Sequence, residues 1–174
     1  TQDGIDDLDQ FTQEFRIASD TDSPMSWQLG AYFFDGSFDI TTVGPNGGFP
    51  PPTTVRHENT SWAVFAQSAY QMTDRLQLSG GLPFTNDEKD LTTLVSVVPH
   101  APVNVSDEQV SWDIAARYDL TDDVNLYARI ARGFRGPTIQ GRDIAFFGSP
   151  SVAQSETSLS YEAGIKTEVW GGRG

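Results

Sequence analysis

Three arginines, Arg129, Arg132 and Arg135, recur at every third position along one stretch of the chain. A guanidinium fork matches a carboxylate or another anion, so such a row could hold an anionic small molecule. The other reading is ion pairing with carboxylates such as Asp113 or Glu162, because enclosed charges need partners. His57 and His100 are the next candidates, since imidazole suits iron. They stand far apart without partnered ligand spacing, which leaves a plain surface role open for both. No Ser-His-Asp constellation is evident, and no catalysis and no cofactor are expected. The acidic runs Asp87, Glu88, Asp90 and Asp107, Glu108 lack the spaced Asp/Asn/Gly loop of a calcium site and read as solvated charge. Gly44 to Pro52 is a loop of breakers without the strand-then-helix setting of a phosphate loop. With no cysteine there is no thiolate metal site or disulfide.

The elements that must carry these residues follow a period of two. Phe11, Phe15 and Ile17 alternate with polar residues, as do Met25, Trp27, Leu29, Ala31 and Phe33. The pattern returns at Leu76 to Phe84, Val110 to Tyr118, Val124 to Ile130 and Leu159 to Ile165. Ser61 to Met72 is apolar on both faces and counts as a seventh strand. These runs of roughly 9 to 12 residues exceed the 5 to 6 of soluble strands and match a tilted strand crossing a bilayer. Short turns at Asp20 to Pro24, Thr73 to Arg75, Thr121 to Asp123 and Gly171 to Arg173 alternate with long connections. The long ones run from Gly36 to Thr60, Thr85 to Glu108 and Phe134 to Thr157, which puts His57 and His100 in loops. Loops sorted by length between two ends are the layout of a membrane β-barrel. Tyr70 to Leu78 is echoed by Tyr118 to Leu126, each with Thr-Asp in the turn. A propeller repeat is the competing source of such an echo.

Composition narrows the partners. The 174 residues carry a formal net charge of −13, with 24 acidic and 11 basic residues, which excludes a nucleic-acid binder. No apolar run of 18 or more residues exists, so no transmembrane helix is expected, which says nothing against a barrel. No amphipathic helix is available to cover the sheet's apolar face. Lipid would cover it, and ring closure would pair every backbone group. The opposite face carries Glu14, Arg16, Gln28, Gln77, Asp113, Arg117, Asn125, Arg129, Glu162 and Lys166, a polar set that suits a watery lumen.

At this point the residues resemble a family. Phe11-Thr12-Gln13-Glu14-Phe15-Arg16-Ile17, then Trp27-Gln28-Leu29-Gly30-Ala31-Tyr32-Phe33, resembles a mid-barrel hairpin of TonB-dependent receptors. Leu126-Tyr127-Ala128-Arg129-Ile130-Ala131-Arg132-Gly133-Phe134-Arg135-Gly136-Pro137 is similar to an outgoing strand entering a Gly-Phe-Arg turn. Tyr161-Glu162-Ala163-Gly164-Ile165-Lys166 resembles the inward strand that follows. The resemblance implies an all-β antiparallel up-and-down meander of about seven long strands, part of a barrel of about 22 with a plugged lumen. It implies residence in the outer membrane of a Gram-negative bacterium, contact with its lipid, and uptake of an iron chelate or similar nutrient energised by TonB. Residues 1–174 would then be a partial barrel domain, with the plug and the TonB-binding segment upstream and further strands downstream. Pro83 departs from the family's usual Arg; a bulge near the strand's outer end, or a single-base codon change, would account for it.

Two other classes compete: a porin or adhesin barrel, and a soluble all-β carbohydrate-binding module using Trp27, Trp62, Trp112 and Trp170. The alternation places at least Trp27 and Trp112 on the apolar face. Expressed alone, residues 1–174 present two strand edges and a bare apolar face, and are expected to aggregate without detergent. Size-exclusion chromatography in plain buffer checks this; a sharp, cooperatively melting monomer would favour the soluble module.

Overall fold

The short turns show why the chain reverses where it does. Thr73 Oγ1 accepts hydrogen bonds from the backbone N–H of Arg75 and Leu76 at 3.3 and 3.0 Å. Thr121 Oγ1 accepts from Asp123 N–H at 3.3 Å. A threonine hydroxyl thus satisfies the donors that a tight reversal frees, at both members of the echo. The structure is a computed structural model describing residues 2–19, 23–45 and 48–168. The turn at Asp20 to Asp22, Trp170 and the turn at Gly171 to Arg173 lie outside the described residues.

Six long strands come first: β1 (Gln2–Ala18), β2 (Met25–Val43), β3 (Thr53–Thr73), β4 (Leu76–Val95), β5 (Val103–Val110) and β6 (Trp112–Thr121). β7 (Val124–Arg135) follows, then β8 (Thr138–Gln140), a 3-10 helix (Arg142–Phe146), β9 (Ser151–Ala153) and β10 (Glu156–Thr167). One antiparallel sheet has the order β1-β2-β3-β4-β6-β7-β10, with β5 also pairing β4. β5 and β6 are one strand interrupted at Ser111, so the sheet is a seven-step meander, as expected. Among the described residues it is open, with β1 and β10 as its edges.

Register sorts the side chains. Residues directly opposite share a face, and Leu29 opposes Ala66, Ala66 opposes Leu82, and Phe33 opposes Trp62. Ile114 opposes Ile130, which opposes Tyr161. This apolar face is bare: Phe15, Ile17, Leu29, Leu82, Ile114 and Ile165 are all exposed. From Met25 to Phe33 the apolar belt rises about 26 Å along the strand at ~3.3 Å per residue, the height of a bilayer's hydrocarbon band. Tyr70 and Tyr118 mark its lower edge. Phe33, Trp62 and Phe84 mark its upper edge, with Trp62 and Phe84 at 5.4 Å between ring centroids.

The strands are much longer than the alternation suggested. β2, β3 and β4 run 19, 21 and 20 residues, so most of Gly36 to Thr60 and Thr85 to Glu108 is strand and not loop. The reason is a phase inversion at the upper edge of the belt. Above Phe33 the same face carries Asp35, Ser37 and Asp39, which oppose Thr60, Glu58 and Arg56. The apolar residues move to the opposite face as Phe34, Phe38, Ile40, Val55 and Leu91. Two runs in opposite phase cancel each other's period. His57 is corrected with them: it lies within β3, opposite Phe38 and Leu91.

Pro83 sits in β4 beside the break at Ser111. Its carbonyl accepts the Ser111 N–H at 2.9 Å, so its nitrogen, with no hydrogen to donate, faces the same interrupted strand. On that strand Arg132 Nη1 donates to the Val110 carbonyl, and Nη2 to Gln109 Oε1 at 3.2 Å. The register runs through the break unshifted, with Phe84 opposite Val110 and Gly81 opposite Asp113, so this is a local loss of ladder pairing and not the expected bulge, and an arginine supplies donors beside it.

Above the belt, the inverted apolar face is capped. Ile139 of β8 and Ile144 of the 3-10 helix bury against Val55 and Leu91, with Ile40, Val103 and Val105 at the margin. Two glycines allow this approach. A Cβ on Gly141 would lie 2.5 Å from Leu91 Cδ1, and one on Gly136 would lie 2.3 Å from Asp87 Oδ2. Asp87 accepts from Lys89 Nζ at 2.6 Å, and Lys89 Nζ also donates to the Pro137 carbonyl at 2.8 Å. The Gly-Phe-Arg-Gly-Pro turn is therefore clasped to β4. Gly136→Val should drive a side chain into this ion pair and loosen the cap, an overpacking loss of about 1–3 kcal/mol. Limited proteolysis of the folded, full-length protein checks this: cleavage within 138–153 should rise, while cleavage at the short turns stays unchanged.

Candidate functional site

The two faces offer two surfaces. Within the belt, the polar face is a wall of short-range charge pairs. Arg16 Nε lies 2.6 Å from Glu14 Oε1, with its guanidinium 6.0 Å from the centre of the Phe65 ring. Arg117 pairs with Asp119 at 3.1 Å and Arg129 with Asp113 at 3.5 Å. Lys166 Nζ sits 5.1 Å from the centre of the Tyr127 ring. These groups are open to solvent, which screens their charges and leaves each pair a weak contributor to stability. They make a wetted polar surface without a single dominant charge.

The three arginines do not act as one row, because a strand turns alternate residues to opposite faces. Arg129 and Arg135 lie on the polar face; Arg135 meets Glu156 at 3.5 Å on the exposed rim. Arg132 falls on the belt face opposite Trp112 and is engaged with the backbone at the strand break. The spacing of three was visible in the sequence; its even-odd consequence follows once the stretch is a strand.

His57 is half-buried, stacked on Phe38 with ring centroids 5.1 Å apart and 12° between planes. Burial pushes its pKa below the ordinary value, so the imidazole is neutral at neutral pH. His100 lies in the connection between β4 and β5, and its buried Nε2 has no hydrogen-bond partner. The two histidines stand on different elements. Among the described residues no group of three His, Cys, Asp or Glu is arranged to hold a metal ion. Two further groups stabilise the rim. Arg56 donates to both oxygens of Asp39 at 2.7 and 2.9 Å, which holds its pKa up. Asp107 is held below the usual carboxylate range by hydrogen bonds from Ser155, on the approach to β10, and from Gln109.

One feature of the rim was missed in the sequence. Phe49, from the β2–β3 connection, meets Phe146 and Phe147 at centroid distances of 6.2 and 5.8 Å. All three rings are exposed. The signal was two adjacent aromatics between Ile144-Ala145 and Gly148, inside a stretch read only as connection.

Comparison with known proteins gives the setting of these surfaces. The family model described as TonB dependent receptor-like, beta-barrel, matches residues 1–174. The pesticin receptor of Yersinia pestis is 30% identical over 139 residues, covering 71% of this chain and 20% of that protein. The rhizobactin receptor of Rhizobium meliloti is 26% identical over 149 residues, covering 77% and 18%. The chain thus spans about a fifth of the length of these curated relatives. Among solved structures, the ferric yersiniabactin uptake receptor of Yersinia pestis superposes with a TM-score of 0.79 at 23% identity, over 94% of this chain and 26% of that one. The alcaligin outer-membrane receptor of Bordetella pertussis gives 0.70 at 18% identity, over 95% and 27%. These likenesses establish the fold. The belt face is accordingly the lipid face of an outer-membrane barrel wall, the polar face lines the lumen, and the chain belongs to the TonB-dependent receptor β-barrel family.

Proposed function

We propose that the receptor containing this chain imports an iron chelate across the outer membrane, energised by TonB, without catalysing a reaction. The carrying observation is that the family barrel matches every residue of the chain. The names of the neighbours support the cargo: ferric yersiniabactin, ferric catecholate and ferric citrate are what three structures of this fold are named for. In this reading the chain supplies a sector of the wall and the capped rim above it. Arg129, Arg135 and His57, on the lumen side, line the ligand's path. Arg132, on the lipid side, maintains the wall beside Pro83, and His100 belongs to the rim. TonB would engage the receptor outside residues 1–174.

Deleting the full-length gene in its source bacterium tests this. With radio-iron loaded onto chelator extracted from that bacterium's own iron-starved culture, uptake should fall to background in the deletion strain. It should fall equally in the parent once the proton gradient is dissipated. Undiminished uptake after deletion, or uptake indifferent to the gradient, would overturn the proposal.

A further inference from the structure

The cap of β8, the 3-10 helix and β9 rests on a seat that holds one titratable side chain among apolar ones. Ile139 and Ile144 bury against Val55 and Leu91, and all four are 4% exposed or less. His57 shares that face, two residues along β3 from Val55 and directly opposite Leu91. Its ring lies on Phe38 of β2, with 5.1 Å between centroids. Gly141 closes over it from the cap. A Cβ at Gly141 would stand 2.5 Å from Leu91 Cδ1, 3.2 Å from Val55 Cγ2 and 3.5 Å from His57 Nε2. The cap backbone is therefore laid against the imidazole edge itself.

A charged imidazole has two N–H donors, and burying its charge is costly without a partner. The charged groups around the ring are committed elsewhere. β2 offers Phe38 and Ile40, and β3 itself offers Val55 and Asn59, none of them charged. β4 offers Leu91 and Lys89, whose Nζ is held by Asp87 at 2.6 Å and by the Pro137 carbonyl at 2.8 Å. The cap offers Arg142, 3.8 Å from Asp3 of β1, and Asp143, which accepts from Ser151 at 3.3 Å. Each of these three carboxylates already has a partner, and the other two charges are cations. Phe38 would attract an imidazolium weakly. Burial outweighs that attraction and holds the His57 pKa below its ordinary value.

We propose that His57 is an acid-responsive latch: its neutral ring lets the cap close, and protonation lifts residues 138–153 off the seat and uncovers Val55 and Leu91 to the lumen side. This holds whatever the receptor carries, so it does not rest on the chelate reading. The closed form keeps the imidazole neutral, while the open form lets it titrate near its ordinary value of about 6.5. The open form therefore binds more protons below that value. Closure is fully present above about pH 6.5 and weakens as the pH falls through it. Asp107, which Ser155 holds at the far end of the cap, is kept below the usual carboxylate range and stays charged throughout.

The test is hydrogen–deuterium exchange of the full-length receptor in lipid nanodiscs at about pH 7.5 and about pH 5.5, on either side of an ordinary histidine. Rates are corrected for the intrinsic pH dependence of amide exchange. In the wild type, exchange across 138–153 should rise up to about tenfold at the lower pH, the limit for one imidazole that ionises only in the open form. Exchange within β2 and β3 should stay unchanged. His57→Phe and His57→Gln cannot ionise and should each lose the response. The ratio between the two pH values is the readout, so a variant that merely loosens the cap still decides. His100→Gln should respond as the wild type does. A wild type with the same protection at both pH values, His57 variants that keep the response, or a response lost with His100→Gln would each overturn the inference.

Discussion

In hydrocarbon, a peptide N–H or C=O without a partner has no water to turn to, and each such group is costly. Everything in this chain answers to that requirement. The strands are paired along their length from β1 to β10, and the two reversals described in full use a threonine hydroxyl to satisfy freed donors. Where proline removes a donor, the neighbouring strand breaks and Arg132 bonds the Val110 carbonyl. The edges at β1 and β10 keep unpaired groups that further strands of a closed barrel would satisfy.

The second constraint is that solvent changes along the strand axis. Through the belt, lipid lies on one side and water on the other. Above it water lies outside, and the apolar residues can only be buried inward. The sequence follows by inverting phase between Phe33 and Asp35, between Trp62 and Thr60, and between Phe84 and Asn86. The inverted face then needs a cover, which β8, β9 and the 3-10 helix provide through Ile139 and Ile144. Burying each of these side chains contributes about 1.5–3 kcal/mol. The cap is therefore part of the folded rim, and its exposed outer surface is where the aromatic cluster sits.

This explains which parts were legible. Clean alternation at Met25 to Phe33 and Val110 to Tyr118 announced strands, because one face met lipid and the other water throughout. The turn echo announced Thr73 and Thr121, because one local bond does the same work twice. The upper strands were hidden, since Asp35 to Val43 continues β2 in the opposite phase and looks like irregular chain. His57 was misplaced for that reason. The arginine row was visible as residues but not as two faces, and Phe49 lay far in sequence from the phenylalanines it meets. Tertiary proximity of loop residues leaves no period to read.

The phase inversion above Phe33, Trp62 and Phe84 marks the lipid boundary. Single cysteines placed on one face of the full-length receptor in intact cells test it directly: at Leu29 and Val64 in the belt, and at Asp35, Glu58 and Glu88 just above it. A membrane-impermeant maleimide should label the upper three and leave the belt pair unlabelled. Equal labelling of both sets, or protection of Asp35 and Glu58, would contradict the placement of the membrane and with it the assignment of the two faces.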